Sequence, residues 1–591
     1  MNAERSKIDP KYRWMLEDIY PSDGKWEEAF EAAKALIAAY PSHQGTLTNG
    51  ADAIFAALKD RSDIERMVER LYAYAHMRRD EDNGDVVYQG LTDRAFQLIS
   101  AAGSAGAFLV PELLALPEGV LRRCAEEERF GIFRFFLLDM ERQRAHTLSA
   151  GEEKLLAMAE EPLTGPDNIF TMLSDVDLDF GEVVNEKGET VKVTHGSYGT
   201  LLDSPERRVR EAAYRAMYGT YRAVKNTVTA AYTASVKGDV FRAQARGFAG
   251  SLEAALFGSN VPIAVYEQLI EAVHEALPAL KKYLGIRKRA LGVDKLAMYD
   301  LYVPMLPDCH IPMEYEEAKR VVKEALLPLG PDYQALLEKA YTENWIDVYE
   351  THGKTSGAFS WGTYGVHPFV LLNHQNDVDH ALTLAHELGH AMHSYHSNAA
   401  QPYETAEYKI MVAEVASTVN EQLMTNYLLA RETDRDKRAY LVNQILEQFR
   451  TTCFRQTMFA EFEWKAHQMA ENGEPLTVES LSEIYRNLNE LYYEDVVVDD
   501  DIALEWMRIP HFYRAFYVYQ YATGICTAVA LSKAVQEGHV ARYIGFLSSG
   551  GSDYPIELLK NAGVDLTKPE SICSALKVFA DYVDEMEALM A

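Results

Sequence analysis

The chain reads as mostly α, a large multi-helix protein with a small β-sheet, and three features predict this. Apolar residues return every three or four positions over long stretches, through about residue 165, from 204 to 245, from 262 to 292, and from 376 to the end. Strand-like alternation is confined to two short islands, near 176–202 and 345–375. With 591 residues and 48% hydrophobic content there is enough apolar material for a substantial core.

Taken in order, "GKWEEAFEAAKALIAAY" and "ADAIFAALKDRSDIERMVERLYAYAHMRRD" carry the first amphipathic helices. "VDLDFGEVVNEKGETVKVTHGSYGTLL" then alternates around a Lys-Gly turn and predicts one hairpin between helical regions. A second island, "WIDVYETHGKTSGAFSWGTYGVHPFVLLNHQND", is rich in glycine, aromatic and β-branched residues and predicts a small sheet. Helices dominate after it, interrupted by turns such as "SSGGSDYP". No fixed-period repeat or low-complexity linker marks a domain boundary, so the division is set near the hairpin: 1–200 as an N-terminal helical domain and 201–591 as a second helical domain.

The formal charge of −31 and pI near 5.0 repel phosphate backbones and anionic bilayers, and no basic patch offsets this. Neither nucleic acid nor membrane is an expected partner. Five well-separated cysteines without a CxxC pair argue against a disulfide framework or a cysteine-rich zinc site. The opening "MNAERSKIDPKYRWMLEDIY" has no apolar signal core, and no uncharged apolar run of about 18 residues follows, so a cytoplasmic location is expected.

The chemistry concentrates in "LTLAHELGHAMHSYH", residues 382–396. Asn376 or Asp377 is the candidate N-cap, and apolar residues at 378, 381, 382, 384, 385, 388, 391 and 392 carry a helix through the motif. His386 and His390 stand four residues apart, on one face, where two imidazoles can share a tetrahedral zinc ion. Glu387 beside them is placed to take a proton from water, which is the HExxH arrangement. The alternative is a solvated helix with histidines on its wet face; the surrounding Ala, Leu, Gly and Met argue for burial, and buried imidazoles need partners.

Three residues compete as third ligand. His393 lies seven positions past His386, roughly 10.5 Å along a regular helix, too far to converge. His396 fits the spacing HExxHxxGxxH, but the chain-reversing glycine of that pattern is replaced by His393. Glu414 sits among Met411, Val412, Ala413, Val415 and Ala416, where a carboxylate needs a cation or hydrogen-bond donors. Glu404, Glu407 and Glu421 have more polar neighbours and read as a solvated face. Glu414 is the preferred third ligand, with His396 open as a rival, and either leaves a fourth position vacant.

Near the carboxy terminus, Pro510 should stop the preceding segment, and "HFYRAFYVYQYATG" sets Tyr513, Tyr517 and Tyr521 on one face of an expected helix. On composition alone this is an aromatic core stripe. "SGAFSWGTYGVHPFVLLN" reads either as a structural hairpin or as an open strand edge able to pair with an extended peptide; His367 is a polar contact or a structural histidine.

"HPFVLLN", "TLAHELGHAMHSYHS" and "AEVAST", with the early "WMLEDIYPSD" and the late "PHFYRAFYVYQYATG", resemble the oligoendopeptidase F family of the thimet oligopeptidase superfamily over nearly the whole chain. The resemblance implies a helical zincin-type peptidase with a deep central channel, one Zn2+ per chain held by His386, His390 and Glu414, and Glu387 as general base. It further implies that His511 and a tyrosine, Tyr517 being chosen over Tyr513, Tyr519 and Tyr521, donate hydrogen bonds to the reacting centre. Residues 201–591 become the catalytic domain. A thermolysin-like arrangement is disfavoured, since the position twenty beyond His390 is Ile410. The expected activity is endopeptidase cleavage of short unstructured oligopeptides. A dipeptide-releasing carboxypeptidase sharing these ligands, and a non-catalytic peptide-binding protein stabilised by zinc, are the alternatives.

Overall fold

The computed structural model describes residues 4–306 and 309–591. Helix takes 72% of the chain and strand 4%, so the mostly α expectation holds. Two compact units form, each from three stretches of chain. Unit one comprises Met1–Thr147, Ile311–Leu428 and Leu531–Val564; unit two comprises Leu148–His310, Leu429–Ala530 and Asp565–Ala591.

Unit one opens with helices α1 (Asp23–Ala39), α2 (Ala51–Glu81) and α3 (Val86–Gly106), which pack on one another. Ser22 caps α1, accepting from the Lys25 amide, and Trp26 and Phe30 bury its apolar stripe against Leu71 and Tyr74. The Trp26 indole N–H, fully buried, donates to the Leu71 carbonyl at 2.9 Å, which satisfies the one polar atom of that ring. By length and composition alone, the segment Val86–Ala115 is apolar and long enough to cross a bilayer. Ile99, Gly103 and Val110 from it line a cavity of the same unit.

The expected sheet is present in unit one: β1 (Ile346–Asp347), β2 (Phe359–Trp361) and β3 (Phe369–Leu371). The order is β1-β3-β2, with β1 parallel and β2 antiparallel to the central strand, so β2 is an edge. Phe369 and Leu371 belong to the same core as Trp14, Trp26 and Leu71, tying the sheet to the first helices. Lys354, fully buried, pairs with Asp347 at 2.7 Å and donates to the carbonyls of Tyr349 and Leu372. That network fixes the loop between β1 and β2.

The sheet leads into α4 (Val378–Ala400), followed by a turn of helix at Tyr403–Ala406 and then α5 (Ile410–Leu429). Residues 407–409 between these two helical segments are not helical. In unit two the hairpin pairs Glu182–Val184 with Thr190–Lys192, shorter than the alternating stretch because its flanks, Met172–Asp177 and His195–Leu202, are helical. The helices Ile263–Ala290 and Pro569–Met590 pack against each other. Cys453 and Cys526, both fully buried, bring their sulfurs to 3.9 Å, and all five cysteines are free thiols.

Candidate metal centre

Of the two N-cap candidates, Asp377 caps α4, its carboxylate accepting from the His380 amide at 2.8 Å; Asn376 adopts a left-handed φ of 61° and turns the chain into the helix. Leu384, Ala385, Leu388, Ala391 and Met392 are completely buried, so the helix is anchored on most sides. His386 and His390 are half-buried, their side chains 26% and 19% exposed.

Gly389 decides how closely α5 approaches. A Cβ built there would stand 2.5 Å from the Ser417 Cα and 2.6 Å from the Ala416 carbonyl oxygen. The two helix backbones touch at a point only glycine allows. Asn420, fully buried, locks the crossing by donating to the Ala385 carbonyl at 3.1 Å and accepting from the Tyr333 hydroxyl.

This crossing brings His386, His390 and Glu414 together, one ligand atom from each lying within 4.8 Å of the others. The two Nε2 atoms are 3.2 Å apart, and Glu414 Oε2 is 3.5 Å from that of His386 and 3.4 Å from that of His390. Ligands about 2.0–2.1 Å from a tetrahedral zinc ion stand about 3.3–3.4 Å apart, so the triangle has the edges of such a site. Two imidazole nitrogens and a carboxylate oxygen also form a donor set zinc accepts.

Glu421 corrects the reading of it as a solvated residue. Two turns beyond Glu414 on α5, it accepts from His386 Nδ1 at 2.7 Å. An ionised carboxylate only accepts, so Nδ1 carries a proton, and a metal at the triangle would displace the one on Nε2 and use its lone pair. Glu387 is 6% exposed, and burial raises its pKa against the opposing pull of His386 and His390. The His390 hydrogen bond, against burial, holds Glu414 down to about 2. Burial disfavours charge on His386, yet Glu421, Glu387 and Glu414 together push it up to about 9. Three carboxylates around two imidazoles make a field that attracts a divalent cation.

The remaining histidines sort differently. His393 is 1% exposed and stacks on Tyr408 at 3.7 Å. His396 stays within α4, which runs on to Ala400, so the chain reversal that would return it to the triangle does not occur. His367 stacks on Trp345 at 4.9 Å, and its Nε2 bonds Asp18 at 3.0 Å, a structural role.

The end of β2 abuts α4: a Cβ at Gly362 would lie 2.5 Å from that of Ser394, one turn past His390. A cavity of about 940 Å³ opens there within unit one. Tyr72, Trp361, Tyr364 and Tyr403 line it with Glu65 and Glu69.

In unit two the expected helix after Pro510 does not form. Residues Pro510–Tyr513 make a 3₁₀ turn, Phe516 sits at φ 57°, and helix begins only at Tyr519. Tyr513, Tyr517 and Tyr521 therefore do not share a helix face. Tyr513 stacks on Phe170 at 4.5 Å and Tyr519 is 3% exposed, while His511, Tyr517 and Tyr521 come together, with Tyr521 Oη 3.4 Å from His511 Nε2. Burial, with Arg514 and Arg455, lowers the His511 pKa, so its imidazole is neutral at pH 7.

The chain as a whole is similar to known peptidases. Residues 200–578 match the model of peptidase family M3, and residues 112–180 match that of oligopeptidase F. The chain is 44% identical to oligopeptidase PepF of Bacillus subtilis over 99% of its own length and 88% of that protein's. It is 37% identical to an oligoendopeptidase F homolog of Lactococcus lactis, covering 100% and 99%. Among solved structures, a peptidase of Chlamydophila abortus superposes with a TM-score of 0.93 at 32% identity over the full length of both chains. Oligoendopeptidase-F of Enterococcus faecium does so with a TM-score of 0.75 at 36% identity, covering 96% and 99%.

Proposed function

Because the chain belongs to the oligoendopeptidase F group of peptidase family M3, which are metallopeptidases, we propose that it is a zinc-dependent endopeptidase for short unstructured peptides, with one Zn2+ held by His386, His390 and Glu414. The observation that carries this reading is the triangle of Nε2, Nε2 and Oε2 at tetrahedral-edge distances with a buried carboxylate beside it. When bound there, zinc supplies Lewis-acid polarisation of a carbonyl and makes water more acidic.

Glu387 accepts the proton released by the attacking water and returns it to the leaving amine. Burial favours this role, since a carboxylate whose pKa is raised is a stronger base. Glu421 holds the His386 ring in the tautomer that leaves Nε2 free. His511 and Tyr517 donate to the oxygen that becomes negative as the carbonyl is attacked; this rests on the family resemblance, and the neutral imidazole of His511 supports it. Tyr521, hydrogen-bonded to His511, is then its orienting partner.

The unpaired edge of β2 and the cavity beside it support binding of an extended peptide by main-chain hydrogen bonds. The division at residue 200 is kept as a proposal, supported by the break between the two family matches. A cytoplasmic setting without nucleic-acid or membrane partners is likewise proposed, on the acidic charge.

Product mapping on peptides of graded length tests the activity. Internal cleavage, including of peptides with a blocked carboxy terminus, is the expected result. Release of carboxy-terminal dipeptides alone would replace the endopeptidase reading.

A further inference from the structure

Unit two encloses a positively charged hollow in a chain whose formal charge is −31. Arg455 Nη2 donates to Glu505 Oε1 at 2.6 Å, and Arg508 Nη2 donates to the same oxygen at 3.1 Å. The Tyr485 hydroxyl takes Oε2 at 2.5 Å, and Tyr218 adds a longer bond to Oε1 at 3.3 Å. The one carboxylate is thus saturated while two guanidiniums depend on it. Arg508 Nε bonds the Tyr218 hydroxyl, but Nη1 of Arg508 and both Nε and Nη1 of Arg455 have no hydrogen-bond partner among the described residues.

These donors border a cavity of about 20 Å³ whose lining includes Tyr198, Tyr218, Tyr302, Arg455, Glu505 and Arg508. That volume holds one group the size of a water molecule or halide ion. The charged groups in the wall sum to one positive charge. Burial holds the Tyr198 and Tyr218 phenols well above their ordinary pKa, so neither can supply the missing negative charge. The arginine side chains keep 16% and 18% of their surface accessible, so a ligand can reach them.

We propose that this cavity binds one small monovalent anionic group, either a halide ion or an oxygen of a peptide's terminal carboxylate. Guanidinium forks with unused N–H groups match both sources, and a larger or doubly charged anion fits neither the volume nor the charge. The carboxylate source rests on the peptidase reading; the halide source does not.

Two measurements on the wild-type, metal-loaded protein test this. Crystals grown in sodium bromide are expected to show an anomalous peak within hydrogen-bond distance of Arg455 or Arg508 if the source is a free halide. If it is the peptide, KM in chloride-free gluconate buffer should be about tenfold higher for an oligopeptide amide than for the free acid. That difference should shrink in Arg455→Gln, or in Arg455→Lys should the first variant not fold. No bromide peak together with equal KM for acid and amide would overturn the proposal, as would no peak together with an amide effect that survives the Arg455 substitutions. Loss of all peptide hydrolysis in the wild type would count against the peptidase reading, while the bromide map alone would then decide the anion site.

Discussion

Glu421 Oε1 accepts a 2.7 Å hydrogen bond from Nδ1 of His386, thirty-five residues away in the chain. The bond fixes both the tautomer and the orientation of the first imidazole of the HExxH motif. Glu421→Gln should keep the fold and weaken zinc binding about 10- to 100-fold. Competition against a calibrated chelator measures this, and an unchanged affinity would remove Glu421 from the site.

Gly389→Ala should disturb the same site from the other side. The added methyl would meet backbone of α5 at 2.5 and 2.6 Å, and backbone cannot rotate away as a side chain can. A loss of about 1–3 kcal/mol and weakened metal binding are expected. Thermal denaturation with metal analysis of the purified variant checks both.

Glu387→Gln separates chemistry from metal binding. Glu387 is outside the triangle, so the variant should carry as much zinc as wild type. Turnover of an internally quenched peptide should fall by about 10²- to 10⁴-fold, the usual contribution of a general base. Wild-type turnover in this variant would sink the mechanism.

Glu463 gives a pH signature in unit two. It is completely buried, accepts from the Phe516 amide at 3.2 Å through Oε1, and has no hydrogen-bond partner at Oε2 among the described residues. Burial raises its pKa well above the ordinary carboxylate value. The folded protein therefore keeps a proton that the unfolded chain releases above about pH 4.5, and wild-type stability falls as pH rises past that point. Glu463→Gln lacks this penalty. It should be more stable than wild type at pH 7 and match it near pH 4, as read from denaturant melts at the two values.

Much of this was legible in the sequence because the decisive spacings are local. His386 and His390 share one helix, and the apolar setting of Glu414 singled it out from its neighbours. Glu421 is hard to single out because its polar neighbours on α5 resemble a solvated face, although its spacing of two turns from Glu414 is a signal. The tyrosine stripe failed for a different reason: three residues at helical spacing predict a shared face only if the backbone is helical, and Phe516 breaks it with a left-handed φ. The interleaving of the two units from three stretches each is a matter of tertiary contact and leaves no periodicity to read.

Zinc stoichiometry and affinity, measured by equilibrium dialysis on the wild type and on Glu414→Gln, test the central assignment most directly. About one zinc per wild-type chain is expected, and at least a 10-fold weaker dissociation constant in the variant, since one of three ligands becomes a neutral amide. A wild-type chain that binds no zinc, or a variant that binds it as tightly as wild type, would contradict the assignment.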